Sequence, residues 1–267
     1  MDSNINPVAK LAGLINSYVN YLKEDGVTEV VSFSRADSTR GNLQKGRTAQ
    51  PCAAENVVRT AGQGCPALPS EQNKVVSERL GKIAGEIAKC TKCQLHKGRN
   101  QTVPGQGNPQ PEILFIGEGP GEEEDRQGLA FVGAAGQLLT RLIKRMGFTR
   151  EEVFIANIVK CRPPNNRKPL PEESQACLPY LQEQIEILNP KVIVLLGATA
   201  LDGLIPSELP GRTISRMRGK WIEYKNIPVM PTFHPSYLLR NQSAMWDVWN
   251  DMQLVLERLG RPVPEKP

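Results

Sequence analysis

Between residues 113 and 196 the chain alternates short apolar runs with longer segments of helical periodicity, and this alternation restricts the fold more than any other feature. Runs at 113–116, 153–159 and 192–196 enclose helical patterns at 136–146 and 172–188. Apolar runs of strand length are buried on both faces, and strands joined through helices pair in parallel. The expected fold class is therefore α/β, three layers stacked α/β/α around a mostly parallel central sheet of four strands. Residues 221–232 supply one or two later strands that end just before His234, 75–88 form a leading helix and 245–259 a closing one. In such open sheets ligands bind beyond the carboxyl ends of the strands. The loop at Gly117, Asn157 and His234 all fall there.

The flanks read differently. Leu11, Leu14, Ile15, Val19 and Leu22 recur at helical spacing before Gly26, which predicts an amphipathic helix in a segment spanning 1–33. Such a helix offers a face to a protein partner, which the sequence does not identify, or packs on its own domain. Residues 34–74 hold too few large apolar side chains to offset the entropy of ordering and read as a disordered linker. The catalytic domain is expected over 75–262, with a tail at 263–267. The net charge of +5 permits nucleic-acid binding without demanding it. No apolar run approaches the ~20 residues of a membrane helix, and no export signal precedes the cysteines. The expectation is a monomeric cytoplasmic protein, with no membrane partner.

Six cysteines in a reducing compartment point to metal or redox chemistry rather than a disulfide framework. Cys90 and Cys93 form a C-x-x-C, while Cys161 and Cys177 stand fifteen residues apart. Four thiolates close a coordination shell for zinc or for an iron–sulfur cluster. The wide second spacing departs from paired zinc knuckles and favours iron–sulfur. Cys52 and Cys65 lie in the linker without a spaced partner and read as free thiols.

Gly117-Glu118-Gly119-Pro120-Gly121 follows an apolar run, as a phosphate cradle would, but Glu122, Glu123, Glu124 and Asp125 come next. Four carboxylates would repel a phosphate on the loop, and no Gly-Lys-Ser/Thr element follows. A carboxylate here suits activation of water or stabilisation of developing positive charge. The helix dipole alone accounts for Glu122 and Glu123.

From Cys90 to about Arg240 the sequence resembles the family 4, iron–sulfur uracil-DNA glycosylases. Five motifs in order carry the resemblance: C-x-x-C at Cys90, G-E-G-P-G-E-E-E-D at Gly117, G-L-A-F-V-G at Gly128, N-I-V-K-C-R-P-P at Asn157 and H-P-S-Y-L-L-R at His234. The third residue of the second motif is Gly119, where other members carry Ala. The resemblance implies a uracil-DNA glycosylase-like fold, excision of uracil from DNA during base excision repair, and a structural [4Fe-4S] cluster on Cys90, Cys93, Cys161 and Cys177.

It also implies roles for single residues. Phe131 is the platform on which a flipped uracil stacks, and Asn157 reads uracil N3–H and O4. Glu118, with the Gly119 backbone beside it, excludes the thymine methyl. His234 donates to uracil O2 as the base leaves, and Glu124 orients water or stabilises the cationic sugar. Ser236, Tyr237, Leu238, Leu239 and Arg240 follow as a loop that wedges into the minor groove, with Ser236, Leu238, Arg240 and Arg162 expected at DNA. Lys160, Arg162, Arg167 and Lys168 flank Cys161, either tracking the phosphates or forming an ordinary solvated loop. A competing reading from another class is a catalytically silent iron–sulfur module that binds DNA or senses damage on the same fold.

Overall fold

A computed structural model describes residues 71–206 and 212–264. All belong to the second of two units into which the chain divides, residues 63–267. The expected N-terminal helix, most of the expected linker, and Cys52 and Cys65 lie outside the described residues. Residues 71–74, expected in the linker, instead form the first turn of helix α1 (Glu71–Ala88).

Six strands form one sheet: β1 (Gln106–Gly107), β2 (Ile113–Gly117), β3 (Phe154–Asn157), β4 (Val192–Leu196), β5 (Ile222–Tyr224) and β6 (Ile227–Thr232), in the order β1-β3-β2-β4-β6-β5. The central four, β3, β2, β4 and β6, are parallel, as the alternation requires. The short strands β1 and β5 add antiparallel edges. The β1 edge was not legible as a run, because two residues carry too little pattern, whereas β5 and β6 are the two strands that 221–232 allowed for.

The crossover helices are α2 (Glu122–Gln127), α3 (Ala134–Arg145), α4 (Pro171–Leu188) and α5 (Ala198–Leu204). The short helices α6 (Ile214–Met217) and α7 (Pro235–Leu238) flank the last two strands, and α8 (Met245–Arg258) closes the chain. Side chains alternate faces along a strand, so each central strand feeds two cores. Ile113, Phe115, Val192 and Val194 pack with α3 and α8, while Leu114, Ile116, Ile193 and Leu195 pack with α1, α4 and α5. This is the expected three-layer α/β/α arrangement. In register, Gly117 lies beside Asn157, and Leu196 beside Thr232. The carboxyl ends of all four parallel strands therefore share one edge.

Candidate active site and cysteine centre

A cleft of about 670 Å³ runs along that edge, and Glu118, Glu124, Phe131, Asn157 and His234 all line it. Asn157 ends β3 and is 1 % exposed, yet its Oδ1 has no hydrogen-bond partner. A buried amide without a partner loses its hydration at a cost of ~1–3 kcal/mol unless a ligand completes it. A Cβ on Gly117 would lie 2.5 Å from both Asn157 Oδ1 and Phe131 Cζ. The ring edge and the amide therefore close on the same spot, which stays open because β2 ends in glycine.

Phe131 is both core and wall: it is 5 % exposed, packs in the α3 core and lines the cleft. Its φ of 52° places it in the left-handed region, which a side chain other than glycine occupies at a cost of ~1–2 kcal/mol. The ring lies 5.7 Å from that of His234, tilted by 37°.

His234 caps α7, and its Nδ1 accepts from the Ser236 N–H at 3.1 Å and lies 2.8 Å from the Ser236 hydroxyl. An amide N–H can only donate, so the ring proton sits on Nε2. Burial lowers the His234 pKa to about 4, against the pull of Glu124. Near neutral pH the ring is thus an uncharged imidazole with its one N–H at Nε2.

Glu124 is fixed at both oxygens. Oε1 accepts from the amides of Val132 and Gly133, each at 2.8 Å, and Oε2 accepts from the Gly121 amide at 3.1 Å, half of a capping box on α2. A Cβ on Gly119 would meet Val159 Cγ2 at 2.6 Å, so alanine there would require the Val159 side chain to shift. The Glu118 carbonyl accepts from the Val159 amide at 3.1 Å, so the segment beside the cleft is held on both sides.

Four thiols line a second, much smaller cavity: Cys90 and Cys93 after α1, Cys161 beyond β3 and Cys177 in α4. Burial pushes the Cys177 thiol up to about 11, and raises those of Cys161 and Cys93. N–H groups oppose it: Arg99 Nη1 donates to Cys161 Sγ at 3.1 Å and the Lys160 amide to Cys177 Sγ at 3.3 Å. Arg99 also holds the carbonyls of Ala88 and Cys90. His96, the second histidine, borders this cavity with Nδ1 2.7 Å from the Cys93 carbonyl, and lies apart from the cleft.

The expected DNA contacts need correction. Leu238 is 2 % exposed and sits in the core, because one helical turn from Pro235 carries it inward. The exposed apolar side chains of that segment are Tyr237 and Leu239. Lys160 does not reach the surface either: it is buried and donates from Nζ to the Asn157 carbonyl and Gln184 Oε1 at 2.9 and 2.7 Å. Arg167 is engaged by both carboxylate oxygens of Glu173. Arg162 meets Asn166 and Glu122 on the surface, Arg240 is exposed at the cleft, and Ser236 serves the histidine.

Two supports escaped sequence reasoning. Asp125 is fully buried and accepts from the Asn100 and Gln101 amides and the Asn100 side chain, fastening the segment after the C-x-x-C to α2. Its only linear signal was its place as the last of four acidic residues. Lys160 carried no signal beyond ordinary positive charge.

A family model described as the uracil DNA glycosylase superfamily matches residues 104–253. The chain is 52 % identical over 176 residues to a type-4 uracil-DNA glycosylase of Thermotoga maritima, covering 65 % of this chain and 86 % of that protein. It is 46 % identical over 189 residues to the type-4 enzyme of Saccharolobus solfataricus, with 68 % and 88 % covered. With that of Archaeoglobus fulgidus the identity is 43 % over 192 residues, with 70 % and 96 % covered.

Proposed function

Since the chain belongs to the uracil-DNA glycosylase superfamily, and within it to the type-4 group, we propose that it hydrolyses the N-glycosidic bond between uracil and deoxyribose in DNA. Free uracil leaves and an abasic site remains, the first step of base excision repair. The observation that carries this reading is the buried, unpartnered Asn157 Oδ1 beside the Phe131 ring, in a cleft that Glu124 and His234 also line.

A base inside a duplex is out of reach, so uracil must leave the stack. Phe131 supplies a π-face for it. The Asn157 amide presents an acceptor for N3–H and a donor for O4, a pattern that mismatches cytosine. Glu118 and the Gly119 backbone, both lining the cleft, are the groups we assign to exclude a methyl at C5.

As the C1′–N1 bond breaks, its electron pair leaves on uracil and positive charge develops on the sugar. The neutral His234 donates from Nε2 to uracil O2, a preorganised contact of the kind worth ~10²–10³ in rate. Glu124, held by three backbone amides, stabilises the sugar cation or orients the water that adds its oxygen to C1′. The exposed Arg240 offers charge to phosphates, the partly buried Arg162 could do so only by leaving Asn166 and Glu122, and Tyr237 and Leu239 offer apolar surface to the displaced stack.

The cysteine centre fits a [4Fe-4S] cluster. Its donor set is four thiols, and N–H groups of Arg99 and Lys160 already point at two of the sulfurs, as bound thiolates require. Bound there, the cluster supplies a structural tie between α1, the segment after β3 and α4. Among the described residues no helix is long and apolar enough to cross a membrane.

The test is cleavage of a labelled oligonucleotide bearing one uracil, followed by alkali, with Asn157→Ala and His234→Ala beside the wild type. Uracil-dependent breakage that falls in both variants is expected. DNA binding without breakage by the wild type would instead support the silent damage-sensing module.

A further inference from the structure

The turn Ala130-Phe131-Val132-Gly133 is gripped from two sides by opposite charges. Its amides at Val132 and Gly133 donate to Glu124 Oε1. Its carbonyls face the other way: Arg150 Nη2 donates to Ala130 O at 2.7 Å, and Arg150 Nη1 donates to Phe131 O and Thr140 Oγ1, both at 2.9 Å. Beneath the turn, a Cβ on Gly136 would fall 1.9 Å from the Phe131 carbonyl oxygen, so α3 takes glycine where that carbonyl descends. Left to itself, Phe131 would relax from φ 52° into an ordinary conformation. That rotation would swing the ring away from Gly117 and Asn157, and would turn the following amides from Glu124.

We propose that Arg150 is a positioning residue for base release: its guanidinium holds the Phe131 turn in the strained form that aims the ring at the base and the Val132 and Gly133 amides at Glu124. It touches neither base nor sugar and acts through the turn alone. A planar fork with several donors is needed, because three acceptors from two segments converge on it. Lysine carries the charge but cannot span all three. The inference rests on the function proposed above, and it deepens that reading by adding a residue outside the five matching motifs.

The test is a double-mutant cycle on kcat/KM for a uracil oligonucleotide, using Arg150→Met, Phe131→Ala and both together, with Arg150→Lys as the conservative variant. Misplacing the turn by an ångström predicts a loss of up to about a hundredfold for Arg150→Met, with Arg150→Lys between it and the wild type. In the Phe131→Ala background the same change should lose clearly less, since most of what Arg150 aims is gone. Hydrogen exchange at the Val132 and Gly133 amides, read in the same proteins, should quicken in Arg150→Met. Wild-type kcat/KM in Arg150→Met, or equal fold losses in both backgrounds, would overturn the proposal, as would unchanged exchange at these amides. If Arg150→Met does not fold, Arg150→Lys answers the same questions. If the wild type releases no uracil, the functional reading fails, and the exchange measurement still decides whether Arg150 holds the turn.

Discussion

Replacing Gly117 by alanine probes the close approach of Asn157 and Phe131, two walls of the cleft. The backbone there is open to any residue, so the added methyl acts only through the space it fills. It would sit 2.5 Å from Asn157 Oδ1 and from Phe131 Cζ, whereas an ordinary Cβ contact begins at 3.4 Å. Both groups must retreat by about 0.9 Å, or one by more. Asn157 is buried and its carbonyl is held by Lys160, while Phe131 is seated in the α3 core, so neither yields freely. Overpacking of this kind destabilises by ~1–3 kcal/mol, or about 2–10 °C in Tm for a body of this size. The kinetic effect should be larger, since misplacing reacting partners by about 1 Å loses ~10²-fold in rate, equivalent to ~2.7 kcal/mol of transition-state stabilisation. The assay is single-turnover excision from a uracil oligonucleotide at saturating enzyme, with Tm measured on the same preparations. Gly85→Ala in α1, where a Cβ meets nothing within 4 Å, is the control; it should raise stability slightly and leave the rate alone. Wild-type excision by Gly117→Ala would refute the assignment of Asn157 and Phe131 as facing walls of the base site.

Two further outcomes follow from the electrostatics. With the His234 pKa lowered to about 4, the excision rate should not fall as pH drops through ~6.5, the ordinary histidine value, but only on approach to 4; a midpoint near 6.5 that vanishes in His234→Asn would contradict a neutral donor. In stability the unfolded chain takes up this proton first, so the ring's contribution is whole above ~6.5 and declines towards pH 4, by at most ~3 kcal/mol; the Tm gap between wild type and His234→Asn should change in that direction across the window. If the second cavity holds the cluster proposed above, purified protein should be brown, and Cys161→Ser or Cys177→Ser should bleach it, lower its iron content and lower Tm, because a metal held by four thiols contributes folding energy. A serine variant that kept full iron and wild-type Tm would remove that thiol from the centre.

The parallel core was legible because β2, β3 and β4 are buried on both faces, so their residues must be apolar throughout and the signal survives in one dimension. The same logic placed Gly117, Asn157 and His234 on one edge, since the ends of parallel strands coincide. Edge strand β1 was not readable, being two residues long and half exposed, and β5 was legible only as part of the 221–232 stretch, without its own boundary. Leu238 was misjudged for a related reason: in a run of exposed and apolar residues, only the helical turn after Pro235 decides which side chain points inward.

The order of glycines, carboxylates and thiols along the chain determined by itself which chemistries were open: an acidic loop at a strand end, an amide, a histidine and four sulfurs. What tertiary structure decided was how those groups are held. That Lys160 is buried under Asn157 rather than laid along DNA, that Asp125 fastens the segment after the C-x-x-C, and that Arg150 grips the Phe131 turn depend on contacts between residues 3 to 25 positions apart. A lysine, an aspartate and an arginine carry the same charge in any sequence context. Whether that charge meets water or a buried carbonyl is set by packing in three dimensions, which leaves no periodic trace along the chain.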